Sequence, residues 1–184
     1  MGSIASSRRF RHATMRDYER IQRIYAYARA IMAANGNPTQ WGDSFPREST
    51  VRADIAEGRT MLLIDDGIDD GIDDGAEGDG ERILAQFALC PGEDPTYRDI
   101  DGSWLDDDPY VTIHRIASSG QAGHVAYDCI DWAAEHYGNV RADTHPNNKA
   151  MQHVFERSGF VRCGLIALLD RDTDKTRIAY QRHE

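Results

Sequence analysis

The sequence contains no apolar run near the 18 or so residues that a membrane-spanning helix needs, which argues against a transmembrane protein. Its N-terminus also lacks the apolar core of a secretion signal, so the expected location is cytoplasmic. Cysteine is scarce. Cys90, Cys129 and Cys163 match no zinc spacing, and an odd number argues against a complete disulfide framework, so reduced thiols are expected. Positive charge is short as well, with 21 Lys and Arg against 31 Asp and Glu. Without clustered basic residues there is no electrostatic footprint for a nucleic-acid backbone, and that class of partner is set aside. Two hydrolytic signatures are missing: no G-x-S-x-G elbow surrounds Ser118 or Ser119, and no Cys–His nucleophile pattern is present.

The acidity is local. Residues 65 to 81 hold nine Asp or Glu and no Lys or Arg, leaving 22 acids against 21 bases elsewhere, so the rest of the chain is nearly neutral. Within this stretch the DDGI repeat combines glycine entropy with carboxylate repulsion, and both oppose packing. A disordered hairpin loop is expected there. The EF-hand spacing and the nine-residue period of calcium-binding solenoids are absent, so the loop is read as solvated rather than as a calcium site. The start MGSIAS fits an N-myristoylation pattern at Gly2, with Arg8, Arg9 and Arg11 as a basic second signal. The reading preferred here is a flexible tail over residues 1 to 8, with no membrane partner.

The remaining residues, within a chain of 184, suffice for one domain with one core. A strand over Phe10–Ala13 leads to a helix that starts near Thr14 and Asp17 and carries Ile21, Ile24, Tyr25, Ala28, Ile31 and Met32 at helical spacing. NGNP breaks the pattern before Gln40 and Trp41. A short helix over Glu48–Glu57 and strands over Thr60–Ile64 and Ile83–Leu89 follow. The next segment is a long loop with Tyr97 and Trp104, and the acids Asp106, Asp107 and Asp108 come directly before the next strand.

The most informative stretch runs from Tyr110 to Phe160. It reads as a strand over Tyr110–Ala117, a glycine turn, a helix over Gly123–Tyr137, a strand over Val140–Thr144 and a helix over Asn147–Arg157 that stops at Gly159. A strand that feeds through a glycine turn into a helix leaves several backbone N–H groups without intrahelical partners, which suits a phosphate. Strands over Val161–Leu168 and Arg177–Gln181 complete a mixed α/β sheet.

With these pieces in place, the sequence resembles the GNAT acetyltransferase superfamily, looking most like an uncharacterised bacterial branch. The resemblance rests on QWGDSFP at 40 to 46, VTIHRIAS at 111 to 118, RADTHPNN at 141 to 148, MQHVFERSGF at 151 to 160, CG at 163 to 164 and RIAYQ at 177 to 181, and covers almost the whole chain. Asn148, Met151, Phe155, Gly159 and Phe160 keep the family's spacing of Asn, Ala, Tyr, Gly and Phe, with two residue types changed.

The resemblance implies a GNAT-like α/β domain over 1 to 184, its sheet mostly antiparallel with one splayed parallel pair. It implies acetyl-CoA as co-substrate, no metal, and an amine acceptor that is a small molecule or a peptide; a homodimer is compatible. The splay is expected after Ala117. Main-chain groups of Ile116, Ala117 and Ser118 would bond the pantetheine arm, and the turn formed by Gly120, Gly123, His124, Val125 and Ala126 would hold the pyrophosphate. Asn148 and Phe155 would contact the CoA arm near the thioester. Two departures from the family stand out: the phosphate turn SSGQAGHVA lacks the usual Gln or Arg, and Phe155 replaces the tyrosine that protonates the departing thiolate. His114 is the expected general base and Tyr180 an alternative proton donor, while Trp41, Tyr97, Trp104 and Asp108 are expected to border the acceptor pocket. His145 beside Asp143 is read as a hydrogen-bonded strand histidine, not a metal ligand. The alternative function is a weak or inactive acyl-CoA-binding sensor or interaction protein.

Overall fold

The computed structural model describes residues 8–66 and 81–184. Residues 1–7 of the expected tail and 67–80 of the expected loop lie outside them, whereas Arg8 and Asp65, expected in the tail and the loop, are strand residues paired with each other. Eight strands form one sheet: β1 (Arg8–His12), β2 (Thr60–Asp65), β3 (Arg82–Pro91), β4 (Ile100–Gly102), β5 (Val111–Ser118), β6 (Asn139–Thr144), β7 (Val161–Ala167) and β8 (Thr176–His183). Their spatial order is β1-β2-β3-β5-β6-β8-β7-β4, antiparallel throughout except for β5 beside β6. The helices are α1 (Tyr18–Ala34), α2 (Glu48–Ala56), α3 (Val125–Tyr137) and α4 (Lys149–Arg157).

Packing follows the apolar periodicity. α3 buries Val125, Cys129, Ile130 and Ala133 against β3, β5 and β6, a stripe at the spacing of one helix face. α1 buries Ile21, Ile24 and Tyr25 on the other side of the sheet with α2's Val51 and Ile55. Ile31, expected on that face, is 42% exposed, while Met32 beside it packs against the core. The basic residues of β1 are committed to ion pairs: Arg8 with Asp128, Arg9 with Asp66 and Glu81, Arg11 with Asp17 and Glu81.

β4 has no counterpart in the sequence reading. It is three residues long, IDG, and pairs with β7 at the sheet edge. There Gly102 faces Gly164, and a Cβ built on Gly164 would lie 2.2 Å from the Asp101 carbonyl oxygen. The φ of Gly164 is +152°, also unfavourable for other residues. Gly164→Ala is therefore expected to destabilise the domain by about 1–3 kcal/mol, read from the thermal midpoint, whereas an unchanged midpoint would mean the β4 edge contributes nothing.

One irregularity shapes the centre of the sheet. Gln86 pairs with Ala117 and Ala88 with His114, so Arg115 and Ile116 of β5 face the single residue Phe87 of β3. Arg115 sits at φ +57°, a left-handed conformation that costs a non-glycine residue roughly 1–2 kcal/mol. Asp54 of α2 holds it there, accepting from Arg115 Nη2 at 2.6 Å while its other oxygen accepts from Arg59 at 2.8 Å. A bulge bends its own strand. β5 pairs with β6 only at Val111–Val140 and Thr112–Arg141, so the two strands part after Thr112, five residues earlier than expected.

Candidate active site

Between the parted strands lies a cavity of ≈ 340 Å³. Ile113, His114, Arg115 and Ile116 line it from β5, Asp143 and Thr144 from β6, and Asn148, Met151 and Phe155 from the start of α4. Trp41 and Phe45 close it from the segment between α1 and α2, and Leu168 to Arg171 from the β7–β8 turn.

His114 is half-buried in this wall, with Nε2 2.9 Å from Asp94 Oδ2. Asp94 is fixed in its turn: Oδ1 accepts the Thr96 N–H at 2.9 Å, and its own N–H donates to the Tyr110 hydroxyl at 2.9 Å. Burial acts to raise the Asp94 carboxyl, but the His114 bond and charge with the Thr96 donor outweigh it and hold the group below the usual carboxylate range. An ionised Asp94 accepts a hydrogen bond from Nε2–H, which fixes the tautomer and leaves the Nδ1 lone pair of His114 free to act as a base. Next to this pair, the buried Tyr97 hydroxyl donates to Asp143 Oδ2 at 2.8 Å. Burial, followed by the Asp143 charge, pushes that phenol well above its ordinary range, so it serves as a permanent donor.

The turn after β5 is largely built from its own side chains. Ser118 Oγ accepts the Gly120 N–H at 3.0 Å, and Ser119 Oγ donates to the Leu84 carbonyl at 3.0 Å. Gly120 lies against Tyr27, where a Cβ would come within 2.4 Å of the phenol oxygen. α3 then starts from His124 at φ +63°, whose carbonyl accepts from Asp128. The amides of His124, Val125, Ala126 and Tyr127 therefore precede the first intrahelical bond and are the open donors of this turn.

Asn148 lines the cavity with both polar ends engaged. Its Oδ1 caps α4 by accepting the Met151 N–H at 3.1 Å, and its Nδ2 donates to Gln40 Oε1 at 3.0 Å. One Nδ2 hydrogen and one Oδ1 lone pair remain for a ligand. Phe155 is buried and faces the cavity from α4.

Several expectations need correction. Tyr180 does not line the cavity; it lies in the core against Phe155, ring centroids 5.1 Å apart, with its hydroxyl toward Glu156. Burial and then the Glu156 charge push that hydroxyl up to about 12, so Tyr180 is a poor proton donor. Trp104 stands behind Tyr97, donating to its carbonyl at 3.0 Å and stacking on the Arg141 guanidinium. Asp108 lies at the opposite, zipped end of β5 and β6, where Asn139 donates to its carbonyl. The acid run precedes the N-terminus of β5, whereas the gap opens toward its C-terminus. Asp106, Asp108 and His183 are the one group among the described residues close enough together to share a metal, and His183 is already bonded to Asp106 there. His145 is bonded as expected, though to Asp174 at 2.8 Å and not to Asp143.

Asp94, Gln40 and Arg177 were missed from the sequence. Asp94 precedes Pro95, a helix-cap signal, but its meeting with His114 depends on how the β3–β4 segment folds back over β5. Arg177 begins the apolar strand RIAY, and a cation there was the available hint.

No family model and no curated protein matches the chain. A GNAT-family acetyltransferase structure from Streptococcus agalactiae is 28% identical over 99% of both chains, with a TM-score of 0.79. In sequence and in fold the chain is similar to the GNAT acetyltransferases. A GNAT-family acetyltransferase from Listeria monocytogenes, 17% identical over 100% of both chains with a TM-score of 0.66, shares the fold. So does yncA of Salmonella typhimurium, solved with its cofactor acetyl-CoA, at 12% identity over 96% of this chain and 94% of that one, TM-score 0.56. In GNAT terms, the parted pair β5 and β6 is the family's splay, and the pair His114–Asp94 stands at its opening.

Proposed function

We propose that this GNAT-like protein transfers an acetyl group from acetyl-CoA to a primary amine by direct attack, with His114 as general base and Asp94 as its positioning partner. The observation that carries this reading is the His114–Asp94 pair on the wall of the open gap between β5 and β6. The β6-facing edge of β5 beyond Thr112 offers main-chain groups to the pantetheine arm, and the α3 amides from His124 onward offer donors to the pyrophosphate. The residues present fit an acyl-CoA.

A lysine-like ammonium, with a pKa near 10.4, must lose a proton before it attacks, which costs about 4.6 kcal/mol at neutral pH. Nδ1 of His114 accepts that proton, and Asp94 stabilises the imidazolium. The neutral amine adds to the thioester carbonyl. As the C–S bond breaks, the second amine proton passes to the departing thiolate, directly or through water, because Phe155 has no proton to give. His114 then returns its proton to solvent. The net change is ammonium plus thioester to amide, free thiol and one proton.

The test is thiol release from acetyl-CoA with and without a mixed panel of primary amines. Release that depends on an amine is expected; thiol release in no member of the panel would contradict the reading. The second reading, a weak or inactive acyl-CoA binder, is favoured by Phe155 and by the absence of Gln or Arg in the phosphate turn. It predicts acetyl-CoA binding with no amine-dependent release. A cytoplasmic location goes with the enzymatic reading; among the described residues no helix is long and apolar enough to cross a membrane.

A further inference from the structure

The cavity holds charge of both signs, and one guanidinium nitrogen in its wall has no hydrogen-bond partner. Asp143 takes the Tyr97 hydroxyl on one oxygen; among the described residues no cation is hydrogen-bonded to it, and its charge acts on Arg177 only at longer range. At the β7–β8 end, Arg177 lines the cavity at 2% exposure; its Nη1 donates to the Asp174 and Thr176 carbonyls at 2.8 Å each, and its Nη2 has no partner. Stranding a guanidinium nitrogen away from water is costly unless something completes it. Arg171 stands beside it with a single 3.4 Å bond to the Thr39 carbonyl. Burial first, and then Arg171, work against the charge of Arg177, while Asp143, Asp174 and Asp170 act in its favour without bonding to Nη2.

We infer that the acceptor is a zwitterionic amine, an amino acid or close analogue, whose ammonium lies beside Asp143 and His114 and whose carboxylate is received by Arg177 and Arg171. This rests on the acetyltransferase reading and specifies its substrate class. A carboxylate matches a guanidinium fork in shape as well as in charge. A plain amine satisfies only half of the cavity and leaves Arg177 incomplete.

The experiment measures thiol release from acetyl-CoA with matched pairs: L-phenylalanine with phenethylamine, L-leucine with isopentylamine, L-alanine with ethylamine. The wild-type protein is expected to favour the amino acid of at least one pair by roughly ten- to hundredfold in kcat/KM, the range of a charge-assisted hydrogen bond. Arg177→Met should abolish that preference while the acetyl-CoA thermal shift stays; Arg171→Gln, at a more exposed position, should reduce it and covers the case in which Arg177→Met fails to fold. Arg177→Lys should keep part of it, which a merely structural role for Arg177 does not predict. Equal use of both members, or a preference untouched by either variant, overturns the inference and leaves the acetyltransferase reading standing. Faster release from succinyl-CoA than from acetyl-CoA would assign the carboxylate to the acyl donor and also overturn it. No release with any pair, with acetyl-CoA still bound, overturns the acetyltransferase reading and this inference with it.

Discussion

Replacing His114 by Gln is expected to lower kcat/KM for amine acetylation by roughly 10²–10⁴-fold, the usual contribution of a positioned base. Acetyl-CoA binding should change little, because the CoA arm is expected to meet main-chain groups and not the imidazole. The loss has a pH signature. A base that must be neutral to work gives a rate that falls as pH drops, and the Gln variant should lose that acid limb and recover partly at high pH, where more free amine is present. Asp94→Asn should act in the same direction but less strongly, because it disturbs the tautomer that Asp94 sets and removes the charge that stabilises the imidazolium. An unchanged rate in the His114 variant would assign the base elsewhere in the cavity.

The largest expected loss of stability comes from Asp54→Ala. Asp54 is 2% exposed and, among the described residues, is the one carboxylate bonded to Arg115, whose backbone is already held at φ +57°. Removing one partner of a buried pair leaves an uncompensated charge, at a cost of about 3–5 kcal/mol. For a domain of this size that lowers the thermal midpoint by roughly 6–20 °C. Because Arg115 lines the cavity, the variant should also bind acetyl-CoA more weakly at temperatures where it is still folded. Adding Arg115→Gly removes both the stranded cation and the backbone strain, so the double variant should be more stable than Asp54→Ala alone. Additive losses would show that Asp54 acts through Arg59 instead.

What the sequence disclosed, and what it withheld, divides by range. Helices α3 and α4 and strands β2, β3 and β6 were legible because their apolar spacing and caps are local; Gly159 ends α4 and the Phe160 N–H bonds back to the Phe155 carbonyl, as its sequence suggests. β4 was invisible, since three residues of IDG carry no period and pair only because Gly102 and Gly164 allow close approach. The splay was expected, but the bulge in β5 was not. A bulge at a non-glycine residue leaves no compositional mark, and its anchor lies 61 residues away in Asp54. Aromatic loop residues misled for a similar reason: Trp41 does reach the cavity, while Trp104 is drawn behind Tyr97 by its indole bond and by Arg141. Tyr180 was assigned from its place on the last strand, whereas strand alternation turns it into the core beside Phe155.

Amide hydrogen exchange with and without acetyl-CoA tests the central claim most directly. If the thioester carrier lies between β5 and β6 with its phosphates on α3, acetyl-CoA should slow exchange across residues 113 to 118 and 124 to 127, and leave the β4–β7 edge unchanged. Protection confined to other segments, or none at saturating acetyl-CoA, would contradict it.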